Sequence, residues 1–284
     1  MSAIVVDRLF PRGSVSTTAY LHTALNQQVV ALCTPDAPTD IDRLGSLVVQ
    51  PRASLPPDNM PHPRALVLND RVSRHPLPWL RHLFDWADRI FTLNLPEAIP
   101  GLAGDKFEWL PGAYEPGMHD KVFEEPHTMT KAPLVYVGTF NAWRKWRFLH
   151  EVPAIISGDG WEFSPLSAAA EAKYGWQYAY MLNRSEMAVN VLQSRWGPNR
   201  KTFEIPHQTL MLCEWAPGVD RVFAPEPGWQ WAFTTPTGLA EAVRYYTDNP
   251  SEVEKHRREQ AAQVSPYTYD RQAKRIVEFL RESA

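Results

Sequence analysis

Cysteine is scarce in this sequence of 284 residues, and long apolar runs and an excess of positive charge are missing. The two cysteines, Cys33 and Cys213, both lie in apolar segments. We therefore expect buried, reduced thiols rather than a disulfide framework or a metal site. No run approaches the roughly 18 consecutive apolar residues that a membrane span requires, and the opening segment meets Asp7 after a few apolar positions. These absences predict a cytoplasmic protein without a membrane span or signal peptide.

The charge balance argues against a broad surface for nucleic acid. Residues 1–128 carry 11 Lys and Arg against 15 Asp and Glu, and residues 129–284 carry 18 against 17. A large basic face would raise these sums, so we expect any phosphate to be bound locally. Apolar residues make up 44% of the chain and charged residues 21%, which is typical of globular proteins and excludes disordered or collagen-like chains. At about 150 residues per domain, the length predicts two domains.

Short β-branched runs alternate with helical patterns along both halves, which predicts α/β domains with parallel sheets covered on both faces. In the first half, strands are predicted at Ala3–Val6, Val29–Cys33, Leu47–Val49, Ala65–Leu68, Arg89–Leu93 and Phe107–Leu110, and helices at Ser16–Leu25 and Trp79–Trp86. In the second half, strands are predicted at Leu134–Val137, Ala154–Ser157, Ala188–Leu192 and Leu210–Cys213, and helical segments at Ala142–His150, Tyr174–Met187, Lys201–His207, Thr237–Thr247, Ser251–Val264 and Tyr269–Arg281.

The segment from Pro111 to Pro133 interrupts this pattern with four prolines and no sustained periodicity, and is interpreted as an interdomain linker. We therefore expect two Rossmann-like domains, residues 1–128 and 129–284, the second ending in a C-terminal helix. Such domains usually bind a ligand between them, at the carboxyl ends of their strands.

Two glycine turns at strand ends are candidate phosphate sites. Gly138 and Thr139 follow the first strand of the second half, and Arg144 and Arg147 come on the next helix at a spacing that places both cations on one face. The alternative is a solvated basic helix with its tryptophans packed inward. The second turn, Gly158-Asp159-Gly160, fits either a ligand loop or an ordinary tight turn.

The most specific pattern is the segment from Asn190 to Cys213. Arg200, Lys201 and Glu204 open a helical turn there, before a buried strand. A carboxylate in this position suits two hydrogen bonds to vicinal ribose hydroxyls, with cations over the phosphates. The alternative is a structural role for Glu204, capping the helix with Lys201 as its partner.

In their order and spacing, these segments resemble the C-terminal domain of GT-B glycosyltransferases, and most closely the group-1 glycosyltransferase domain of spore-maturation-type proteins. The similar pieces are Tyr136-Val137-Gly138, Gly158-Asp159-Gly160-Trp161 and Lys201-Thr202-Phe203-Glu204-Ile205-Pro206, followed by Val222-Phe223, Tyr245-Tyr246 and Tyr267-Thr268-Tyr269-Asp270-Arg271. The resemblance implies that Glu204 binds the donor ribose and that basic residues near Gly138 and Lys201 bind the diphosphate. It further implies a metal-independent transfer with a nucleoside-diphosphate sugar, most simply UDP-linked, as the only co-substrate.

The sequence departs from this family at two places. Many retaining GT-B enzymes have a second glutamate eight residues before the ribose-binding one, but that position here is Trp196. Relatives usually have a small residue and glycine where this chain has His207-Gln208-Thr209. The stereochemical course and the identity of the donor are therefore left open.

The first half resembles the family only in architecture. Arg12, Gly13 and Ser14 follow the first strand and are candidates for the acceptor side. An inverting transfer needs a base near the acceptor hydroxyl, for which Asp70, Asp7 and His75 are candidates, each with the alternative of a cap or a surface partner.

Three functions follow from these patterns. The leading one is transfer of a sugar to a hydroxyl of a carbohydrate, a small metabolite or a lipid-linked acceptor. A second keeps the donor site but uses a hydroxymethylated base in DNA as the acceptor. The third is a sugar-nucleotide-binding protein without turnover.

Overall fold

The computed structural model describes residues 3–7, 17–28, 31–33, 43–49, 59–68, 77–99, 104–120, 131–138, 143–152, 155–157, 168–169, 175–192, 196–224 and 229–283. Contacts divide the chain into two compact units: unit 1 is Met1–Ala113 with Tyr267–Ala284, and unit 2 is Tyr114–Pro266. None of the helices in the described residues is long and apolar enough to cross a membrane.

Strands and helices alternate in both units, as the sequence predicts. Unit 1 contains β1 (Ala3–Asp7), α1 (Thr17–Gln27), β2 (Ala31–Cys33), β3 (Arg43–Val49), β4 (Arg64–Leu68), α2 (Leu77–Trp86), β5 (Arg89–Thr92) and β6 (Phe107–Trp109). Unit 2 contains α3 (Pro116–His119), β7 (Ala132–Val137), α4 (Trp143–Leu149), β8 (Ile155–Ser157), β9 (Ala168–Ala169), α5 (Gly175–Asn183), β10 (Ser185–Asn190), α6 (Lys201–Glu204), β11 (Leu210–Glu214), α7 (Val219–Val222), β12 (Ala232–Phe233), α8 (Pro236–Asp248) and α9 (Pro250–Val264). The helix α10 (Tyr269–Glu282) returns to unit 1.

The sheet of unit 1 has the strand order β2-β1-β3-β4-β5-β6, and all its pairs are parallel. Its strands are apolar on both sides because helices cover both faces. One face packs against α1 and α10, which contribute Leu21 and Ile276 to a core that includes Leu47. The other face packs against α2, where Leu83 lies in a second core with Leu66. The predicted parallel α/β architecture is thus present in this unit.

The helix α10 is held to unit 1 by polar contacts as well as by its apolar face. Arg275 donates from Nε and Nη2 to the two carboxylate oxygens of Glu108, at 2.6 and 2.9 Å. Phe279 packs edge-on against Phe91, with ring centroids 6.0 Å apart. The division therefore differs from the predicted domains 1–128 and 129–284, because the last helix completes the core of the first unit.

The sheet of unit 2 is also parallel, in the order β12-β11-β10-β7-β8-β9. The chain order of the strands reverses between β7 and β10, where Val135 pairs with Ala188. This is the switch point of a doubly wound Rossmann sheet, and ligands of such sheets bind outside the carboxyl ends of the strands there. In this unit those ends are Val137 of β7 and Asn190 of β10.

Two predictions from the sequence need correction in unit 2. The helix predicted over Tyr174–Met187 ends at Asn183, and β10 already begins at Ser185, because strand pairing with β7 and β11 decides the boundary. The predicted linker from Pro111 to Pro133 contains ordered structure: α3 lies within it, and β7 begins at Ala132. Cys213 is buried and free, as expected, whereas the side chain of Cys33 lies outside the described residues.

Candidate functional site

The switch point of unit 2 brings Gly138 and Lys201 into contact. The Lys201 ammonium donates a hydrogen bond to the carbonyl of Val137, the last residue of β7. A side chain at position 138 would displace Lys201 Nζ and would come to 3.0 Å from the Tyr136 hydroxyl, so glycine is what allows Lys201 to lie there. The sequence predicts that Gly138 lets a ligand approach the backbone. In the structure its nearest neighbour is the ammonium group of Lys201, which can itself bind a ligand.

Two ammonium groups lie against the ring of Tyr136. Lys201 Nζ is 5.0 Å and Lys145 Nζ is 5.9 Å from its centroid, within the range of cation–π attraction. Burial, and secondarily the charge of Arg200, lowers the pKa of Lys201 to about 8. Lys145 lies on α4 and is buried. Removing a cation from water is costly unless a counter-charge is supplied, and a diphosphate supplies one.

An amide network fixes α6 to the end of β10. Asn190 and Asn199 exchange side-chain hydrogen bonds at 3.1 and 3.0 Å. The Asn199 side-chain oxygen also accepts from the backbone amide of Thr202 at 3.2 Å, and the Asn199 backbone carbonyl accepts from the same amide at 3.1 Å. Asn190 is buried and also donates to the Thr202 hydroxyl at 3.1 Å. The network therefore sets where the two charged residues of α6, Lys201 and Glu204, lie.

The carboxylate of Glu204 is buried, and its two oxygens have different surroundings. Its Oε1 pairs with Arg200 Nε at 2.9 Å, one helical turn back, and lies 3.5 Å from His119 Nε2. Its Oε2 is buried and has no hydrogen-bond partner in the part of the chain that the structure describes. Only 1% of the residue is exposed. A buried carboxylate oxygen without a donor is costly, which favours a ligand that supplies one.

The partner His119 comes from α3, in the segment that the sequence assigned to a linker. Its Nδ1 lies 3.0 Å from both the backbone amide nitrogen and the carbonyl oxygen of Glu115, and its Nε2 faces Glu204 Oε1 at 3.5 Å. Its own carbonyl accepts from the side chain of Gln208. Both the ring and the backbone of His119 are therefore tied to residues around the site.

A second histidine, His207, contacts the residue that follows His119 in the chain. His207 Nδ1 lies 2.7 Å from Asp120 Oδ1, and the ring stacks on Tyr114 at 3.7 Å between centroids. Burial lowers the pKa of His207 to about 4, so the ring is neutral near pH 7. The substitution His207-Gln208-Thr209, at which the sequence departs from the family, thus provides contacts to α3 and to the residue that follows it.

Tyr178 on α5 lies next to this group. Its ring is 6.5 Å from that of His119, edge to face. The residue is buried, and its hydroxyl has no hydrogen-bond partner among the described residues. The pKa of Tyr178 is raised, mainly by burial and to a smaller extent by the negative charge of Glu204.

The structure brings together four of the donor-side residues predicted from the sequence: Gly138, Arg200, Lys201 and Glu204. The structural alternative named Lys201 as the partner of Glu204, whereas Glu204 pairs with Arg200 and His119 while Lys201 contacts β7. Arg147 is exposed on α4, and its carbonyl lies 3.0 Å from His150 Nδ1. Arg147 therefore does not join the group.

The remaining predicted residues give no test of their roles. Asp7 ends β1 and Arg144 lies in α4, but their side chains are outside the described set. Positions outside the described residues altogether are Arg12, Gly13, Ser14, Asp70, His75, Thr139, Gly158, Asp159 and Gly160.

Sequence reasoning missed four residues of the group: Lys145, His119, Tyr178 and Asn199. Lys145 lies between Arg144 and Arg147, the two arginines chosen for their helical spacing. His119 lies in a proline-rich stretch without periodicity. No local pattern marks Tyr178 or Asn199, whose roles depend on residues distant in the chain. Among the described residues there is no cluster of three His, Cys, Asp or Glu side chains suited to a metal ion.

Comparison with known proteins agrees with this geometry. Residues 141–278, just under half of the chain, match a family model described as glycosyl transferase-like. This match confirms the predicted resemblance to glycosyltransferases, at the level of that broad family. A comparison with curated proteins finds no match.

Solved structures with a similar fold span the whole chain. HepE of Anabaena in complex with UDP-glucose has a TM-score of 0.67 at 9% identity, covering 99% of this chain and 100% of that chain. The DNA-modifying enzyme β-glucosyltransferase has a TM-score of 0.63 at 12% identity, covering 99% of both chains. T4 phage BGT in complex with UDP and Mn²⁺ has a TM-score of 0.59 at 11% identity, also covering 99% of both. Such identities show a shared fold.

Proposed function

We propose that this protein is a glycosyltransferase that takes a sugar from a UDP-sugar and transfers it to an acceptor hydroxyl. The observation that carries the proposal is the switch point of unit 2, where an unpartnered oxygen of Glu204 and the cation of Lys201 are held on the same short helix. The family match and the UDP-bound proteins of similar fold support it. The GT-B arrangement of two such units belongs to the same proposal.

In this mechanism Glu204 accepts hydrogen bonds from the ribose of the donor. Lys201 faces the diphosphate, and Lys145 lies near the same tyrosine ring. The acceptor hydroxyl attacks the anomeric carbon and gives its proton to a base, either a side chain or the departing phosphate oxygen. The bond from that carbon to the phosphate oxygen breaks, and the nucleoside diphosphate leaves with the bonding electron pair. Cations stabilise the charge that develops on the leaving group, so a metal ion is not required for this step. Metal independence is therefore part of the proposal.

The proposal is tested first by replacing the carboxylate. We expect Glu204→Gln to weaken UDP binding by about 1–3 kcal/mol, because a charged acceptor is replaced by a neutral one. Isothermal titration with UDP, GDP, ADP and dTDP measures this change and identifies the base. The matched control is Glu186→Gln, an exposed glutamate on β10 of the same unit. Equal UDP affinity in both variants would contradict the role of Glu204.

The acceptor side remains a set of candidates. Asp7, Asp70 and His75 are proposed as bases, and Arg12, Gly13 and Ser14 as acceptor contacts; Asp7 ends β1, which pairs with β3 where the strand order of unit 1 reverses. Carbohydrates, small molecules and lipid-linked acceptors remain in the proposal, as does kinship with the spore-maturation-type proteins.

A DNA acceptor is the second candidate, favoured by the fold shared with a DNA-modifying β-glucosyltransferase. Incubation with labelled UDP-glucose and either hydroxymethylated DNA or a panel of sugars separates the two. Label on DNA would favour the second candidate, and label on neither, with UDP still bound, would favour a binding protein without turnover.

A further inference from the structure

We infer that the Tyr178 hydroxyl recognises one of the two ribose hydroxyls of the donor, so that this site selects ribonucleotides through a tyrosine and a glutamate together. The inference rests on the proposed function, since it concerns the same nucleotide site. Nothing in the family match assigns this residue a role.

The first step concerns the acceptor capacity of Glu204. A carboxylate that binds a vicinal diol on its own offers one oxygen to each hydroxyl. Here Oε1 already receives the Arg200 guanidinium at 2.9 Å and faces His119 Nε2 at 3.5 Å. Because Oε1 is already engaged by Arg200 and lies beside His119, Oε2 is the oxygen left for a ligand. One hydroxyl of a ribose diol can therefore bind Oε2, and the other hydroxyl needs a different partner.

The second step concerns the position of Tyr178. Its ring lies edge to face with that of His119 at 6.5 Å, and His119 lies directly against Glu204. The helices that carry them, α5 and α3, contact each other. Of the three residues Tyr178, His119 and Glu204, two contribute a buried atom without a hydrogen-bond partner in the described residues, the Tyr178 hydroxyl and Glu204 Oε2; His207 Nε2 is a further such atom in the site. The Tyr178 hydroxyl and Glu204 Oε2 are close enough for the glutamate charge to raise the pKa of the phenol, yet they do not bond to each other.

The third step compares what could supply the missing hydrogen bonds of these two atoms. Two buried polar atoms without partners are costly, and something that both donates and accepts hydrogen bonds relieves both. A ribose diol does this by donating one hydroxyl to Oε2 and exchanging a hydrogen bond with the phenol through the other. A permanently bound water would do the same and would make Tyr178 purely structural. The two explanations differ in how the protein responds to nucleotides that lack one hydroxyl.

The experiment measures dissociation constants of UDP, 2′-deoxy-UDP and 3′-deoxy-UDP for the full chain and for Tyr178→Phe. We expect the unmodified protein to bind both deoxy nucleotides about tenfold or more weakly than UDP, because a site built for a hydroxyl is left unsatisfied without it. In Tyr178→Phe, UDP should bind about tenfold more weakly, and the ratio for one of the two deoxy nucleotides should fall to about one.

The matched control is Tyr180→Phe, on the same helix. The Tyr180 hydroxyl accepts from Arg184 Nη1 at 2.9 Å, so its loss should leave all three ratios unchanged. Thermal unfolding without ligand provides a second readout. Removal of a buried hydroxyl that has no partner should leave the stability of Tyr178→Phe equal or higher, whereas loss of a hydroxyl held by structural water should lower it.

Each outcome decides between the claims. Unchanged deoxy ratios in Tyr178→Phe, with UDP still bound and Glu204→Gln still weakened, would overturn the role of Tyr178 and leave the proposed function standing. Absence of UDP binding by the unmodified protein would overturn both. A lower stability of Tyr178→Phe without a change in the ratios would identify the hydroxyl as structural.

Discussion

Lys201 shows how a single residue links the stability of this site to its chemistry. Its pKa is lowered to about 8 by burial, so the folded protein loses the positive charge as pH rises through that value. We expect UDP affinity to fall above pH 8, and Lys201→Arg, which stays charged, to remove this decline. Titration calorimetry between pH 6.5 and 9.5 checks this, and an unchanged pH profile in Lys201→Arg would contradict it.

The same pKa shift has the opposite sign for folding. The unfolded chain binds this proton up to about its ordinary pKa of 10.5, whereas the folded chain releases it near 8. Between these values the unfolded state holds more protons, so the contribution of Lys201 to the free energy of unfolding rises with pH. The charged form therefore costs stability, while the proposed function uses it.

At this scale the sequence predicts the residues whose chemistry is marked by a local motif. Gly138, Lys201 and Glu204 stand in such patterns, and the structure brings them together. His119 and Tyr178 do not, because a buried histidine or tyrosine is specified by what surrounds it in space. The structural alternative paired Glu204 with its chain neighbour Lys201, whereas Lys201 bonds to β7 and Arg200 is the cation that meets the carboxylate.

At the scale of elements, the short helix α6 depends on one amide for its position. Asn199 accepts from the Thr202 amide and pairs with Asn190 at the end of β10. We expect Asn199→Ala to lower the free energy of unfolding by about 1–3 kcal/mol, because its side-chain hydrogen bonds are lost and the buried Asn190 amide loses a partner, and to weaken UDP binding. Chemical denaturation and titration measure the two effects.

The control for this helix is another asparagine at the start of a helix. Asn249 precedes α9, but its side chain does not cap that helix and instead donates to the Tyr245 carbonyl at an exposed position. Asn249→Ala should change neither UDP affinity nor stability by more than a few tenths of a kcal/mol. A similar loss in both variants would contradict the specific role of Asn199.

Helices and strands were predictable from the sequence where the hydrophobic pattern is clear. They were less predictable where strand pairing determines the boundary of an element. The runs in β4, β7 and β11 are short and apolar, as strands covered on both faces must be. The end of α5 was placed too late, because the residues that follow it are compatible with a helix. Their strand state comes from β10 pairing with β7 and β11, which no local window contains.

On the scale of the whole molecule, α10 makes the first unit discontinuous in sequence. Leu280 on this helix is fully buried in the core of unit 1. We expect Leu280→Ala to destabilise the protein by about 2–5 kcal/mol, and to reduce hydrogen-exchange protection in β1, β3 and β4 more than in β7, β10 and β11. Leu239→Ala, at an equally buried position on α8 of unit 2, should give the reverse pattern. Equal loss in both sheets from either variant would contradict the two-unit division.

The return of α10 could not be predicted from the sequence. Its amphipathic pattern indicates that one face is buried, but not against which sheet. The contacts that decide it, from Arg275 to Glu108 and from Phe279 to Phe91, join residues more than 160 positions apart. The predicted boundary between residues 128 and 129 therefore placed α10 in the second domain, because the helix follows that domain in the sequence.

This discontinuity imposes an order on biosynthesis. Unit 2 is continuous in the chain and can fold once Pro266 has emerged from the ribosome. Most of unit 1 is translated earlier, yet its core lacks a covering helix until residues 269–282 have followed, so its strands wait through the synthesis of all of unit 2. During that interval the nascent amino-terminal segment is the part of the protein most in need of a chaperone.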